Sequence, residues 1–292
     1  MVHLPGLQFY FVLALLFNVA VSDGIHRECR AAGMIAFTYD QGPSIYTGQL
    51  LTALSQANAK ASFHIVPEYL DNPVISANLR RAASDGHIVG LFIKGNIKME
   101  DLVPYIQRSS LTIKKYTGYE PRFLRFAVPG PSPEALKQVQ GLGYFVTGFN
   151  LDSRDYELAS YPAGPDGAGP IHHVIKSNLD MIAPPTMGSF IVVQSDLVPA
   201  SVGQTAAILK LAKEKGYRMV RLDECIGAKA EERGGKVAND GTNKQAIGHV
   251  EDDEHVEGSG INLTSSNSSS EKHPKVVWEL WAMVAMLALT FL

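Results

Sequence analysis

Between Cys29 and Gly227 short apolar runs alternate with segments of helical periodicity, and that alternation leaves few architectures open. Met34-Ile35-Ala36-Phe37-Thr38, Ala61 to Val66, His87 to Gly90, Phe123 to Phe126, Tyr144 to Thr147, Phe190 to Val193 and Gly216 to Val220 each read as a strand. Leu50, Leu51 and Leu54 sit at helical spacing within residues 47–56, and a second helical stretch precedes Gly86. Strands interleaved with helices in this way predict an α/β domain, which we place at residues 26–228.

The two ends of the chain do not belong to that domain. Phe9 to Val21 is an apolar run interrupted only at Asn18 and ending in the small-residue pattern Ala20-Val21-Ser22, which predicts a secretory signal peptide over residues 1–22. The run falls short of the ~20 apolar residues that a bilayer core requires. At the other end an apolar tail runs from Val276 to Leu292, behind a polar spacer and the small-residue run Thr264 to Ser269. That order is the signature of a glycolipid (GPI) anchor signal, here residues 268–292, with Asn267 as the attachment residue. A tail-anchored helix is the alternative. Residues 229–267 carry Glu251-Asp252-Asp253-Glu254 among Gly, Asn and Ser, the composition of a disordered stalk, with a glycosylation sequon at Asn262.

The composition narrows the partners. The formal net charge is -3 and no basic stripe stands out, so nucleic acid is not an expected ligand. The only two cysteines, Cys29 and Cys225, flank the domain, and a secreted chain permits them a disulfide; two buried thiols are the alternative. We expect a monomer, secreted and held to the outer face of the plasma membrane or the cell wall through lipid alone.

Two motifs carry a resemblance. Phe37-Thr38-Tyr39-Asp40-Gln41-Gly42-Pro43 resembles the T-F-D-D-G-P signature of the polysaccharide deacetylases, the family that includes the fungal chitin deacetylases. Gly86-His87-Ile88-Val89-Gly90-Leu91-Phe92, continuing to Asn96, stands where that family carries G-H-x-I-G-x-H-T-W-S-H. The resemblance extends over the whole domain and implies a distorted, incomplete (β/α) barrel with its functional residues at the C-terminal ends of strands. It also implies a divalent metal, usually zinc, held at the positions occupied here by Gln41, Phe92 and Asn96. A hydrolytic metal needs about three ligands with lone pairs and one open position for water. Phe92 has no lone pair, and neutral amides replace a carboxylate and an imidazole. The expectation is therefore no metal cofactor, with zinc as the alternative if the protein is active.

The other motif positions divide. Asp40 matches the family's general base, and Arg125 and Asp155 match the groups that tune its charge; a preserved Asp40–Arg125–Asp155 cluster is expected. The fifth motif, Val192-Val193-Gln194-Ser195-Asp196, places Gln194 where the family has its general-acid histidine, and an amide cannot deliver that proton. Tyr39, Phe126, Tyr156 and Gln194 are the candidate ligand-binding residues of the former cleft, since sugar rings pack on aromatic faces; filling of the vacated cavity is the alternative for the phenylalanines. His64 reads as a core histidine. These residues point to a cell-surface protein that binds chitin or a related N-acetylglucosamine polymer without metal-dependent deacetylation. An active chitin deacetylase and a wall mannoprotein with no sugar site are the competing readings.

Overall fold

The computed structural model describes residues 24–181 and 185–228. The signal peptide, the stalk with Asn262, the anchor residue Asn267 and the 268–292 tail lie outside the described residues. The elements run β1 (Ile25–His26), β2 (Met34–Asp40), α1 (Thr47–Gln56), β3 (Ser62–Ile65), α2 (Pro73–Ser84), β4 (Ile88–Ile93), α3 (Met99–Thr117), β5 (Phe123–Phe126), α4 (Pro133–Gly141), β6 (Phe145–Thr147), β7 (Leu151–Asp152), α5 (Pro170–Met181), β8 (Phe190–Gln194), α6 (Pro199–Glu214), β9 (Arg218–Met219) and α7 (Leu222–Ile226). The strands pair in parallel in the order β1-β6-β5-β4-β3-β2-β8-β7, with β9 added beside β2. Among the described residues no pairing joins β1 to β7, so the barrel they form is incomplete, as expected.

Local chemistry sets the element ends. Asn72 accepts from Val74 N and Ile75 N and places Pro73 in the first turn of α2, and Ser132 caps α4 in the same way ahead of Pro133. Gly118 closes α3 in the left-handed conformation, at φ 83°. Cys29 and Cys225 are joined, with their Cα atoms 4.4 Å apart. Cys225 lies in α7, a short helix that the sequence reading did not anticipate.

Alternation along the strands separates two environments. Ile35, Phe37 and Tyr39 of β2, Phe63 and Ile65 of β3, Leu91 of β4 and Val192 of β8 face the helices and form the main core. Met34, Ala36, Phe123 and Ile191 face the lumen and, with the disulfide, Val220 and Leu222, form a second apolar cluster. The lumen changes character toward the C-terminal ends of the strands. There the buried polar side chains are Thr38, Asp40, His64, Arg125 and Thr147.

Candidate functional site: a carboxylate clamped by arginine and histidine

Asp40 ends β2 and pairs in register with His64 of β3, which pairs with Gly90 of β4. This row assembles the site. His64 Nδ1 lies 2.9 Å from Asp40 Oδ1, and His64 Nε2 lies 2.9 Å from the Thr147 hydroxyl. Arg125, projecting from β5, donates from Nη1 to both Asp40 oxygens at 3.1 and 3.3 Å and to Thr38 Oγ1 at 2.6 Å. Its remaining nitrogens donate to the backbone carbonyls of Thr147 and Gly148. Gly90 makes room for the ring: a Cβ there would stand 3.0 Å from His64 Cδ2 and 2.7 Å from the Phe123 carbonyl oxygen.

The electrostatics follow from this clamp. Burial pushes the Asp40 carboxyl up, but Arg125 and the His64 hydrogen bond outweigh it and hold the group below the ordinary carboxylate range. Burial, with the nearby Arg125 charge, pulls the His64 imidazole down to about 4. The pair at neutral pH is therefore carboxylate and neutral imidazole, with Nδ1–H donated to Asp40 and Nε2 accepting from Thr147.

The metal positions do not rebuild a socket. Gln41 has a left-handed backbone, at φ 70°, and is half-buried; Phe92 is buried on β4 beside Arg125 in register; Asn96 is exposed on the following loop. An aromatic ring and two neutral amides do not fit a transition ion. Among the described residues, no three His, Cys, Asp or Glu side chains cluster as metal ligands.

Several expected placements require correction. Arg125 clamps Asp40, but Asp155 takes no part; its Oδ2 accepts from Ser195 N at 2.6 Å instead. Gln194 does not reach the cleft. It is 2% exposed, lies on the helix-facing side of β8, and donates to Ser201 of α6. Ser195, one residue on, faces the lumen side and donates to the Asp40 carbonyl. The position of a proton donor at the strand end therefore belongs to Ser195, which does not titrate near neutrality either. Tyr39 is likewise buried, at 1% exposure, against Phe63 on the helix side. Phe126 packs half-buried against the main core. Of the four candidate ligand-binding residues, Tyr156 alone is exposed, at 59%, with its hydroxyl 3.3 Å from Asp152 Oδ2. His64, read from its apolar neighbours as core, is the functional partner that the sequence reading missed. The signal was available in its parity, because Ser62 and His64 face the lumen while Phe63 and Ile65 face the helices.

Two further buried carboxyls behave oppositely to Asp40. Burial pushes Asp155 up to about 6 and Asp196 up to about 7. Each keeps its proton in the folded protein where the unfolded chain has released it. Their contribution to stability is therefore complete below the ordinary value of 3.8 and is lost as pH rises through about 6 and about 7. Asp40 contributes above the ordinary value, and that contribution is lost as pH falls through its depressed value. In metal-free buffer the carboxyls' share of the melting temperature is expected to decline as pH rises from 3.8 to about 7, offset between about 4 and 6.5 by His64 and His87, which burial holds neutral. Asp196→Asn should flatten that decline; an unchanged slope in a calorimetric pH series would contradict the assignment.

Comparison with known proteins agrees with the geometry. The polysaccharide deacetylase family model matches residues 27–146. A chitin deacetylase of Colletotrichum lindemuthianum is 28% identical over 209 residues, covering 68% of this chain and 82% of that protein. The solved structure of the chitin deacetylase from that fungal pathogen superposes with a TM-score of 0.64 at 26% identity, over 70% of this chain and 92% of the other. A crystal structure of a polysaccharide deacetylase from Bacillus cereus gives a TM-score of 0.57 at 26% identity, over 64% and 91% respectively.

Proposed function

Because the chain belongs to the polysaccharide deacetylase family, we propose that it is a cell-surface member that binds chitin or a related N-acetylglucosamine polymer and has lost metal-dependent deacetylation. One observation carries this reading: Gln41, Phe92 and Asn96 stand at the metal positions, so no donor set remains to activate a water. Ser195 leaves the leaving group without a proton donor as well. The proposal includes secretion and a lipid anchor, as read from the chain ends.

Binding is supported by the side chains around the strand C-terminal ends. Ile45, Tyr69, Val128, Tyr156 and Tyr161 are exposed on loops that follow β2, β3, β5 and β7. Tyrosine rings offer flat apolar faces to the C–H faces of pyranose rings, and their hydroxyls remain wet. Sedimentation with insoluble chitin is the direct measurement. Tyr156→Ala is expected to weaken it by about 1–2 kcal/mol, as for an exposed aromatic anchor. Failure of the unaltered protein to sediment would favour a wall protein without a sugar site.

Retention of Asp40 and Arg125 favours a second reading, an active deacetylase with a different metal arrangement. Zinc near one equivalent, together with acetate release from chitin oligomers that Asp40→Asn abolishes, would establish it. On the first reading the protein purifies without zinc. Restoring Gln41→Asp, Phe92→His, Asn96→His and Ser195→His together is then expected to recover zinc binding. The corrected strand parity makes Ser195, rather than Gln194, the position to change.

A further inference from the structure

Behind the strand ends, on the helix side of the sheet, oxygen atoms are gathered with too few donors. Leu151 pairs with Val192 and Asp152 with Val193, so Ser153 continues the ladder beside Gln194, which pairs with Tyr39. Ser153, Gln194 and Tyr39 therefore form one row across three adjacent strands, all on the helix-facing side and all at least 98% buried. Asp155 and Asp196 lie in the turns that follow β7 and β8; both bear on the buried Tyr39 hydroxyl, and Ser201 of α6 bonds to Gln194 and to Asp155 alike. The Ser153 hydroxyl, Gln194 Oε1 and Asp196 Oδ1 have no hydrogen-bond partner, and the Tyr39 hydroxyl lies beside Thr205 of α6.

The charges are also uncompensated. The charged groups bearing on these carboxyls are other carboxyls: Asp152 on Asp155, and Asp40 and Asp155 on Asp196. Thr47 of α1 donates to Asp196 Oδ2, while Ser195 N and Ser201 of α6 bind Asp155. None of these contacts brings a positive charge. A single water could join the hydroxyls to the free acceptors, but once the two carboxyls lose their protons it would leave them buried without a counter-charge. The apolar residues of the motifs make the contrast plain. The T-F-D-D-G-P signature has Phe at the Tyr39 position, and in the corrected register the fifth motif has an apolar residue at the Gln194 position.

We propose that Ser153, Gln194, Tyr39, Asp155 and Asp196 form an internal site for one hard divalent cation of the calcium class, bound by oxygen alone. Oxygen donors without imidazole or thiolate select such an ion over zinc, and two carboxylates balance its charge. The site lies across the sheet from the vestigial cleft and does not depend on what occupies that cleft. Its ligands must be ionised to bind, so affinity rises with pH through the range where Asp155 and Asp196 lose their protons.

The test uses the full-chain protein stripped with chelator. At a hundredfold excess of calcium over its dissociation constant, the melting temperature is expected to rise by roughly 5–10 °C. Terbium should show saturable luminescence on tyrosine excitation, displaced by calcium and lost in Tyr39→Phe. Gln194→Leu, which restores an apolar strand residue, and Asp196→Asn should each fold and abolish the calcium-dependent shift. No saturable terbium signal and no shift with calcium or magnesium in the unaltered protein would overturn the proposal, as would shifts that persist in both Gln194→Leu and Asp196→Asn. Chitin sedimentation, read on the same samples, separates this outcome from that of the proposed binding function.

Discussion

Arg125→Met is expected to destabilise the domain by about 3–5 kcal/mol, because removing one partner of a buried ion pair strands the other. The residue is 2% exposed and spends its donors on Asp40, Thr38 and two backbone carbonyls. Methionine keeps much of the volume but leaves Asp40 ionised beside a neutral imidazole, and the carbonyls of Thr147 and Gly148 lose their donor. Arg125→Lys should recover little of the loss, since one ammonium cannot reproduce the planar fork that reaches all four acceptors. The companion measurement is Asp40→Asn/Arg125→Met, where both charges are gone. A double variant distinctly more stable than Arg125→Met alone, in urea titration, is the expected sign of a stranded charge. Equal stability would mean that the loss is one of packing.

Removing the disulfide is the other large effect. Cys29 and Cys225 close a loop with a sequence separation of 196, and chain-entropy arithmetic for so long a loop gives about 5 kcal/mol as an upper figure. The expected loss for Cys29→Ala/Cys225→Ala is about 2–5 kcal/mol, read as a lower urea midpoint with a steeper slope, since the uncrosslinked unfolded chain exposes more surface. The second apolar cluster supports the lower part of this range. Met34, Ala36, Phe123 and Ile191 pack there with the cysteines and keep closing that end of the lumen once the sulfurs are gone. A midpoint unchanged within error would show that the reduced chain is held by this packing alone.

The architecture was legible because its strands are buried on both faces and so read as continuous apolar runs. Two strands escaped: β1 and β7 are two residues long, and polar neighbours on either side deny them the apolar flanks that marked the equally short β9. Asp40 and Arg125 were legible from their motifs, and the structure brings them together. Asp155 was assigned to the same cluster because motif order says nothing about which side of a strand a residue occupies. Gln194 shows the cost of that silence. A one-residue offset exchanges the two faces of a strand, so placing the proton donor at Gln194 rather than Ser195 moved it from lumen to helix layer. His64 was obscured by its setting. A histidine between Phe63 and Ile65 looks like core by composition, and only the pairing of β2 with β3 brings it against Asp40.

The position of the cystine has a mechanical consequence. A pull applied through the two chain ends enters at Ile25–His26 and leaves beyond Ile226, and the sulfur–sulfur link lies on the shortest covalent route between them. Tension is therefore shunted past everything from the barrel's second strand to its last. The two-residue edge strand outside the link would peel first, and extension would then stop short of the clamp around Asp40.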